Sequence, residues 1–288
     1  MPNEKNVISF RAADGNTVKL EYIDSLPSAE ALAREYARSG YPDRYAVFTE
    51  RQTSLSALGE VISEKDSEKG LFLSCILRPS IFPSQAGCIG PLSAVALAAA
   101  LEEHMMKNIG IGWLSDIYCD GIRIGTTSVE GKLDDFTSYE YLIVSFAVKL
   151  DPKKFTPRLT DMVKQVFEDG NQSISMIMAK TVLNRFFTIY KEIKAPQKHL
   201  NHYVDRFVLK DKKIKYIDEG KKKTAKVVDI NKENLTLVIE TKDGRRINVS
   251  SRSAVIIPNI IKTPSHRFDT DNRLRRLFFC SFYAKMYQ

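Results

Sequence analysis

The chain has 288 residues, of which 43% are hydrophobic and 27% charged, with a formal net charge of +8. That composition suits one large folded domain, or a large one with a small companion, and excludes a disordered chain. The longest apolar run, 94–101, is too short to cross a bilayer, and residues 1–10 lack the apolar stretch of a secretory leader, so a soluble cytoplasmic protein is expected.

In chain order, 18–23 alternates as a first strand and 28–38 as an amphipathic helix, with Ser28 as its cap and Gly40 as its stop. Strands follow over 45–49 and 70–77, the second ended by Pro79. An alanine-rich helix over 93–106 suits close packing on a sheet and ends before Gly110. Strands over 122–124 and 141–148 flank a polar loop, 131–138. Thr156-Pro157 opens a helix, and 173–193 carries a longer one with apolar residues at helical spacing. After Pro196 the character changes to short strands over 213–217, 224–230, 235–241 and 245–249, with Asp243-Gly244 as a hairpin signal.

These elements predict an α/β (α+β) fold: a central mixed sheet flanked by helices, then a small SH3-like β-barrel. The boundary falls near 194–202, which places one domain over 1–195, the barrel over 203–258 and a helical tail over 259–288. In the tail, Leu274, Leu277, Phe278 and Phe282 share one helical face, which docks by default on the protein's own core.

The basic excess favours acidic partners, nucleic acid and an acidic carrier protein both being compatible with it. Much of it clusters at Lys210, Lys212, Lys213, Lys215 and the run Lys221, Lys222, Lys223, interleaved with Asp211, Asp218 and Glu219. The plain reading there is a solvated lysine-rich loop. Cys75, Cys88, Cys119 and Cys280 are widely spaced with no CxxC pair, which argues for reduced thiols and against zinc. His199 and His202 have metal-compatible spacing but no thiol or carboxylate pattern beside them, and read as linker residues with no metal.

Several stretches agree in order and spacing with one family. VFTERQTS (47–54), GLFLSCILRPS (70–80), WLSDIYCDGIRIG (113–125), Glu130 and VSFAVKLD (144–151) resemble the catalytic domain of the biotin protein ligases. TAKVVDINKENLTLVIETKDGRRINVSS (224–251) resembles the family's small C-terminal domain, so the similarity spans roughly 19–257. The resemblance implies the α/β fold shared with lipoate ligases. It also implies ATP-dependent biotinylation of a carrier-protein lysine through biotinyl-AMP. The implied cofactors are ATP and biotin, and magnesium with the nucleotide. The implied partner is a biotin-carrier-type domain, and the chain could form a homodimer. The segment before Lys19 leaves no room for the helix-turn-helix of DNA-binding members, so no DNA partner is expected.

That chemistry brings two anions together and needs cations and backbone N–H groups around them. The family supplies an Arg- and Gly-rich loop after its QT pair and a lysine after its WPND-type motif. Here the loop reads LSALGEV over 55–61, and WPND becomes Trp113-Leu114-Ser115-Asp116, preceded by Gly112. The lysine position is Arg123, whose fork can hold a carboxylate but is no substitute point charge. Thr126, following Gly125, stands where a glycine is usual, and the last strand carries Ser145, Ala147 and Lys149 for two glycines and an asparagine.

By the resemblance, Arg123 and Asp116 take the catalytic positions. Ser28, Gln52, Thr53, Trp113, Gly125, Ser145 and Lys149 line the ligand. Each has a plainer reading. Arg123 and Lys149 can be exposed strand residues, Asp116 a turn residue, Trp113 a core aromatic, Gln52 an exposed strand end and Ser28 a helix cap. Three functions therefore stand: a divergent biotin ligase, a non-catalytic protein binding a carrier or small acid, and a lipoate- or octanoyl-type acyltransferase. The last calls for a site cysteine or lysine, and Cys119 is the cysteine near the motif.

Overall fold

The computed structural model describes residues 6–54, 70–105, 107–134, 138–149, 174–218, 220–231, 233–250 and 255–258. The segment after the QT pair (55–61), the helix expected from Thr156-Pro157, Cys280 and the tail over 259–288 lie outside them.

Eight strands form one sheet in the order β1-β2-β4-β6-β10-β9-β8-β7: β1 Val7–Arg11, β2 Thr17–Tyr22, β4 Tyr45–Thr49, β6 Gly70–Leu77, β7 Ile109–Ile111, β8 Asp116–Cys119, β9 Ile122–Leu133 and β10 Tyr139–Lys149. A short parallel pair, β3 (Ser25–Leu26) with β5 (Arg51–Gln52), sits apart. In the large sheet only β2 and β4 run parallel, and they are joined through helix α1 (Ala29–Arg38), the crossover that parallel neighbours require. β4 and β6 are buried along their whole length, as central strands covered on both faces must be.

Two layers cover the sheet. On one face α1 presents Ala29, Ala33 and Ala37, spaced four residues apart, so three methyls lie on the strands. On the other face lie α3 (Ile89–His104), after the one-turn α2 (Pro83–Ala86), and α4 (Ile174–Tyr190). α3 has apolar residues all round because the sheet, α4 and α5 (Gln197–Asp205) enclose it. Ser28 caps α1, its Oγ accepting from Ala31 N at 3.2 Å. Arg78 closes the far end of α1, donating to Ala37 O, Tyr41 O and Glu140 O.

Some expectations shift. β1 and α5 appear where none was read, so His199 and His202 lie on a helix, with His199 Nε2 2.8 Å from Glu192 Oε2. The strand over 122–124 extends as β9 to Leu133, because from Gly125 onward it pairs with β10, so Gly131, Lys132 and Leu133 of the expected loop lie on the strand. Lys213 and Lys215 lie on β11 (Lys213–Asp218), where the strand over 213–217 was expected, while Lys221, Lys222 and Lys223, read as part of a solvated loop, open β12 (Lys221–Ile230), which starts three residues before the strand expected at 224. These strands join β13 (Leu237–Thr241), β14 (Arg246–Val249) and β15 (Val255–Pro258) in a five-stranded antiparallel sheet, ordered β14-β13-β12-β11-β15. Asp243-Gly244 makes the β13–β14 turn, with Gly244 at φ 79°.

The loop at 112–116 ties the two sheets together. Leu114 has a φ of 73°, an unfavourable conformation for a bulky residue that its surroundings must hold. The buried Tyr203 of α5 holds it: its hydroxyl accepts from Leu114 N and donates to Gly112 O at 2.8 Å. Trp113, buried in the core, donates its indole N–H to Leu235 O at 2.9 Å, just before β13. Tyr203→Phe removes both hydroxyl bonds and leaves two backbone groups poorly paired. It should cost about 1–3 kcal/mol, read as a lower urea midpoint at unchanged slope.

Candidate functional site

The sheet face beneath α1 gathers most of the residues the sequence singled out. Strand register arranges them in rows. Asp116, Thr126, Ala147 and Phe72 lie across β8, β9, β10 and β6. Ser128, Ser145, Ser74 and Val47 form the next row, and Glu130, Ile143 and Ile76 the third. Ser145 and Ala147 are wholly buried. Ala147 packs with Ala29, Leu26 and Phe72, and Ser145 Oγ lies 2.8 Å from Ser74 Oγ. The two side chains standing where the family has glycine are therefore packed against α1 and β6.

Arg123 lies beside Asp116: its Nε and Nη2 both sit 2.8 Å from Asp116 Oδ1. The two side chains are only 25% and 21% exposed, so the pair is partly shielded and each charge largely answers the other. Gly125 is held by close approach, since a Cβ there would meet Ala147 O at 2.7 Å. Thr126 is buried, its Oγ1 3.5 Å from Ser115 Oγ. Tyr118 is 2% exposed and its hydroxyl has no hydrogen-bond partner among the described residues. Burial and the nearby Asp116 push its pKa up, so it stays a neutral phenol.

The remaining positions frame this face. Gln52 Oε1 accepts from Ala29 N at 3.1 Å, so it helps cap α1. Thr53 is exposed and its N–H bonds Leu26 O at 2.9 Å. Lys149 ends β10 opposite Gly70, half-buried. Cys119 is buried at the opposite end of β8 from Asp116, and among the described residues no group of His, Cys, Asp and Glu could hold a metal. A surface depression of about 590 Å³ lined by Glu102, Met105, Lys107, Asn108 and Asp120 also lies at that end, away from these rows.

A second charged group had not been assembled from the sequence. Arg34 on α1 binds Glu30 Oε1 at 3.0 Å and Glu130 Oε2 at 2.7 Å, and Ser128 Oγ donates to Glu30 Oε2 at 2.9 Å. The Glu30–Arg34 spacing of four was the legible half of it. The partner on β9 depends on strand register. Burial first, then the Glu130 carboxylate, push the Glu30 pKa up against the pull of Ser128, Arg34 and Ser145.

No family model matches the chain. Among curated proteins, the bifunctional ligase/repressor BirA of Bacillus subtilis is 24% identical over 156 residues, 54% of this chain and 48% of that protein. BirA of Bacillus spizizenii is 22% identical over the same length, so the chain spans about half the length of the curated relatives it matches. Among solved structures, the apo biotin protein ligase of Aquifex aeolicus superposes with a TM-score of 0.59 at 17% identity, covering 83% of this chain and 99% of that one. The fold is that of the biotin protein ligases. The Aquifex ligase in complex with biotin and ATP gives a TM-score of 0.58 at 16% identity, with 83% and 99% covered. A biotin protein ligase-like protein of unknown function from a Silicibacter species shares the same fold, with a TM-score of 0.55 at 12% identity over 81% of this chain and 94% of that one. The expected architecture, a mixed sheet flanked by helices and followed by a small β-sheet unit, is therefore the one this biotin protein ligase-like chain adopts.

The raised Glu30 pKa has a definite sign. Just above its ordinary value of 4.5, the folded state binds more protons there than the unfolded chain, so this group's contribution to stability falls as pH rises through the folded pKa. Glu30→Gln should remove that fall. Urea unfolding of wild type and variant across this window should show the variant gaining relative stability with pH.

Proposed function

We propose that this chain is a divergent, biotin protein ligase-like binding protein, whose cleft recognises a carrier-type domain or a small polar ligand without forming an adenylate. The observation that carries this reading is the Arg123–Asp116 pair at 2.8 Å. The cation at the position corresponding to the ligase lysine is already neutralised by a neighbour on the adjacent strand.

Charge counting supports it. On this face Arg34 and Arg123 stand against Glu30, Glu130 and Asp116, two positive against three negative, and Lys149 brings the sum to zero. Bringing a carboxylate and a nucleotide phosphate together needs an excess of cations, because two unit anions 4 Å apart repel by about 4 kcal/mol at an effective dielectric of 20. These residues do not fit a bound biotin carboxylate beside an ATP phosphate. The buried Ser145–Ser74 and Ala147–Ala29 contacts further reshape any biotin-sized space under α1.

The ligase reading keeps two supports, the sequence likeness to the bifunctional ligase/repressor BirA and the fold likeness to a ligase solved with biotin and ATP. One experiment separates the two readings. The chain is mixed with biotin, Mg-ATP and an unmodified carrier domain, with pyrophosphate release and carrier mass as readouts. The expected result is no pyrophosphate and no mass change, with carrier binding, read by calorimetry, indifferent to ATP. Pyrophosphate release with stoichiometric carrier biotinylation would overturn the proposal. Asp116→Asn frees the Arg123 fork and adds one positive charge to the face. It should tighten binding of a small carboxylate, biotin being the probe, by roughly tenfold, about 1.4 kcal/mol.

A further inference from the structure

The five-stranded sheet has two unlike faces. Ile214, Tyr216, Val227, Leu237 and Ile239 are buried on one. On the alternate positions of the same strands Lys213, Lys215, Lys222, Lys226 and Arg246 are exposed. Register places Lys213, Lys226, Glu240 and Arg246 in one row across four strands. Lys213 and Lys226 are thus directly opposite, an arrangement that destabilises a sheet by itself. Lys226 turns to Asp211 at 2.7 Å and Arg246 to Glu240 at 3.6 Å, both exposed pairs of small net worth. Lys213 and Lys215 make no ion pair with a described residue. Residues 210–250 hold 12 Lys and Arg against 7 Asp and Glu, which is +5 of the chain's +8.

We propose that this outer face docks the phosphate backbone of a nucleic-acid duplex, without reading its sequence. Phosphate contacts are made by Lys, Arg, Ser, Thr and Asn side chains. Thr224 and Asn248 stand among the cations, Thr224 opposite Lys215 and Asn248 two residues beyond Arg246. A protein partner fits less well. Interface cores are depleted of lysine and enriched in aromatic and methionine side chains. Among the described residues the apolar side chains Ile217 and Val238 on this face are half-buried; of the exposed large hydrophobics, Phe82 and Ile122 lie on the other sheet's elements, and Ile247 on β14 stands in register with the buried Ile239, on the opposite face from the cations. The expectation of no DNA partner rested on a missing recognition helix. Backbone docking needs none. This proposal is independent of the cleft and stands or falls separately from the function proposed for it.

The test is fluorescence anisotropy of the full chain with random-sequence duplex DNA and duplex RNA between 50 and 200 mM salt. Binding at 50 mM is expected, with log K falling linearly against log salt. Lys213→Thr/Lys215→Thr/Arg246→Thr keeps strand-forming residues. It should weaken binding at least tenfold at 50 mM and reduce the salt slope by roughly 3, with an unchanged melting temperature. Lys191→Gln/Lys198→Gln, exposed lysines outside this sheet, should change neither. Binding of only one duplex type supports the proposal and names its source. No binding at 50 mM, binding indifferent to the triple variant, or tighter binding of polyglutamate than of either duplex by the same face would overturn it, the last in favour of an acidic protein partner.

Discussion

Helix α1 lies flush on the sheet because the side chains it turns inward are methyls. Ala29, Ala33 and Ala37 let the backbone approach closely, and that approach fixes everything on this face. It brings Arg34 within reach of Glu130 on β9 and sets Glu30 over Ser128. It also leaves no clearance above Ala147 and Ser145, which are wholly covered. A larger residue in the alanine seam would lift the helix and undo the ion pairs and the packing together, since both depend on one interlayer distance.

The face that results is polar but internally answered. Arg123 has Asp116, Arg34 has two carboxylates, Ser145 has Ser74, and Gln52 has the helix N-terminus. Such a surface holds its own geometry, since the groups are already positioned by one another. This is a physical contrast with a site whose cations await two negatively charged reactants, and it exists on the same scaffold as the ligases. A fold supplies the location of a site, while the side chains decide its chemistry.

How much of this was legible beforehand follows from which interactions are local. The α1 cap at Ser28, the strands 45–49 and 70–77 and the hairpin at Asp243-Gly244 follow from short-range patterns, and the structure places them where the pattern does. The α/β order and the small second sheet followed from the run of predicted elements, and the ordered motifs agreed with them. The extension of β9 did not, because Gly131 and Lys132 look like loop residues until β10 pairs with them. The strand over 213–217 was legible because Ile214 and Tyr216 alternate between lysines, whereas Lys221, Lys222 and Lys223 carry no such alternation and join their strand only through pairing with β11. At the candidate site, Arg123 and Asp116 were each legible, but their pairing was not. Seven residues separate them in sequence, and only a two-residue turn followed by an irregular register sets their side chains together. The Arg34–Glu130 contact, 96 residues apart, was beyond any local pattern.

The bond from Trp113 to Leu235 has a spectroscopic meaning. Trp113 is the chain's one tryptophan, and its indole sits at the joint between the two sheets with its N–H already engaged. The tryptophan emission of the molecule, excited at the red edge where its 12 tyrosines do not absorb, therefore originates at that joint. An emission maximum shifting to the red would mark water reaching the seam, so separation of the small sheet from the large one carries its own optical label without any dye or added reporter.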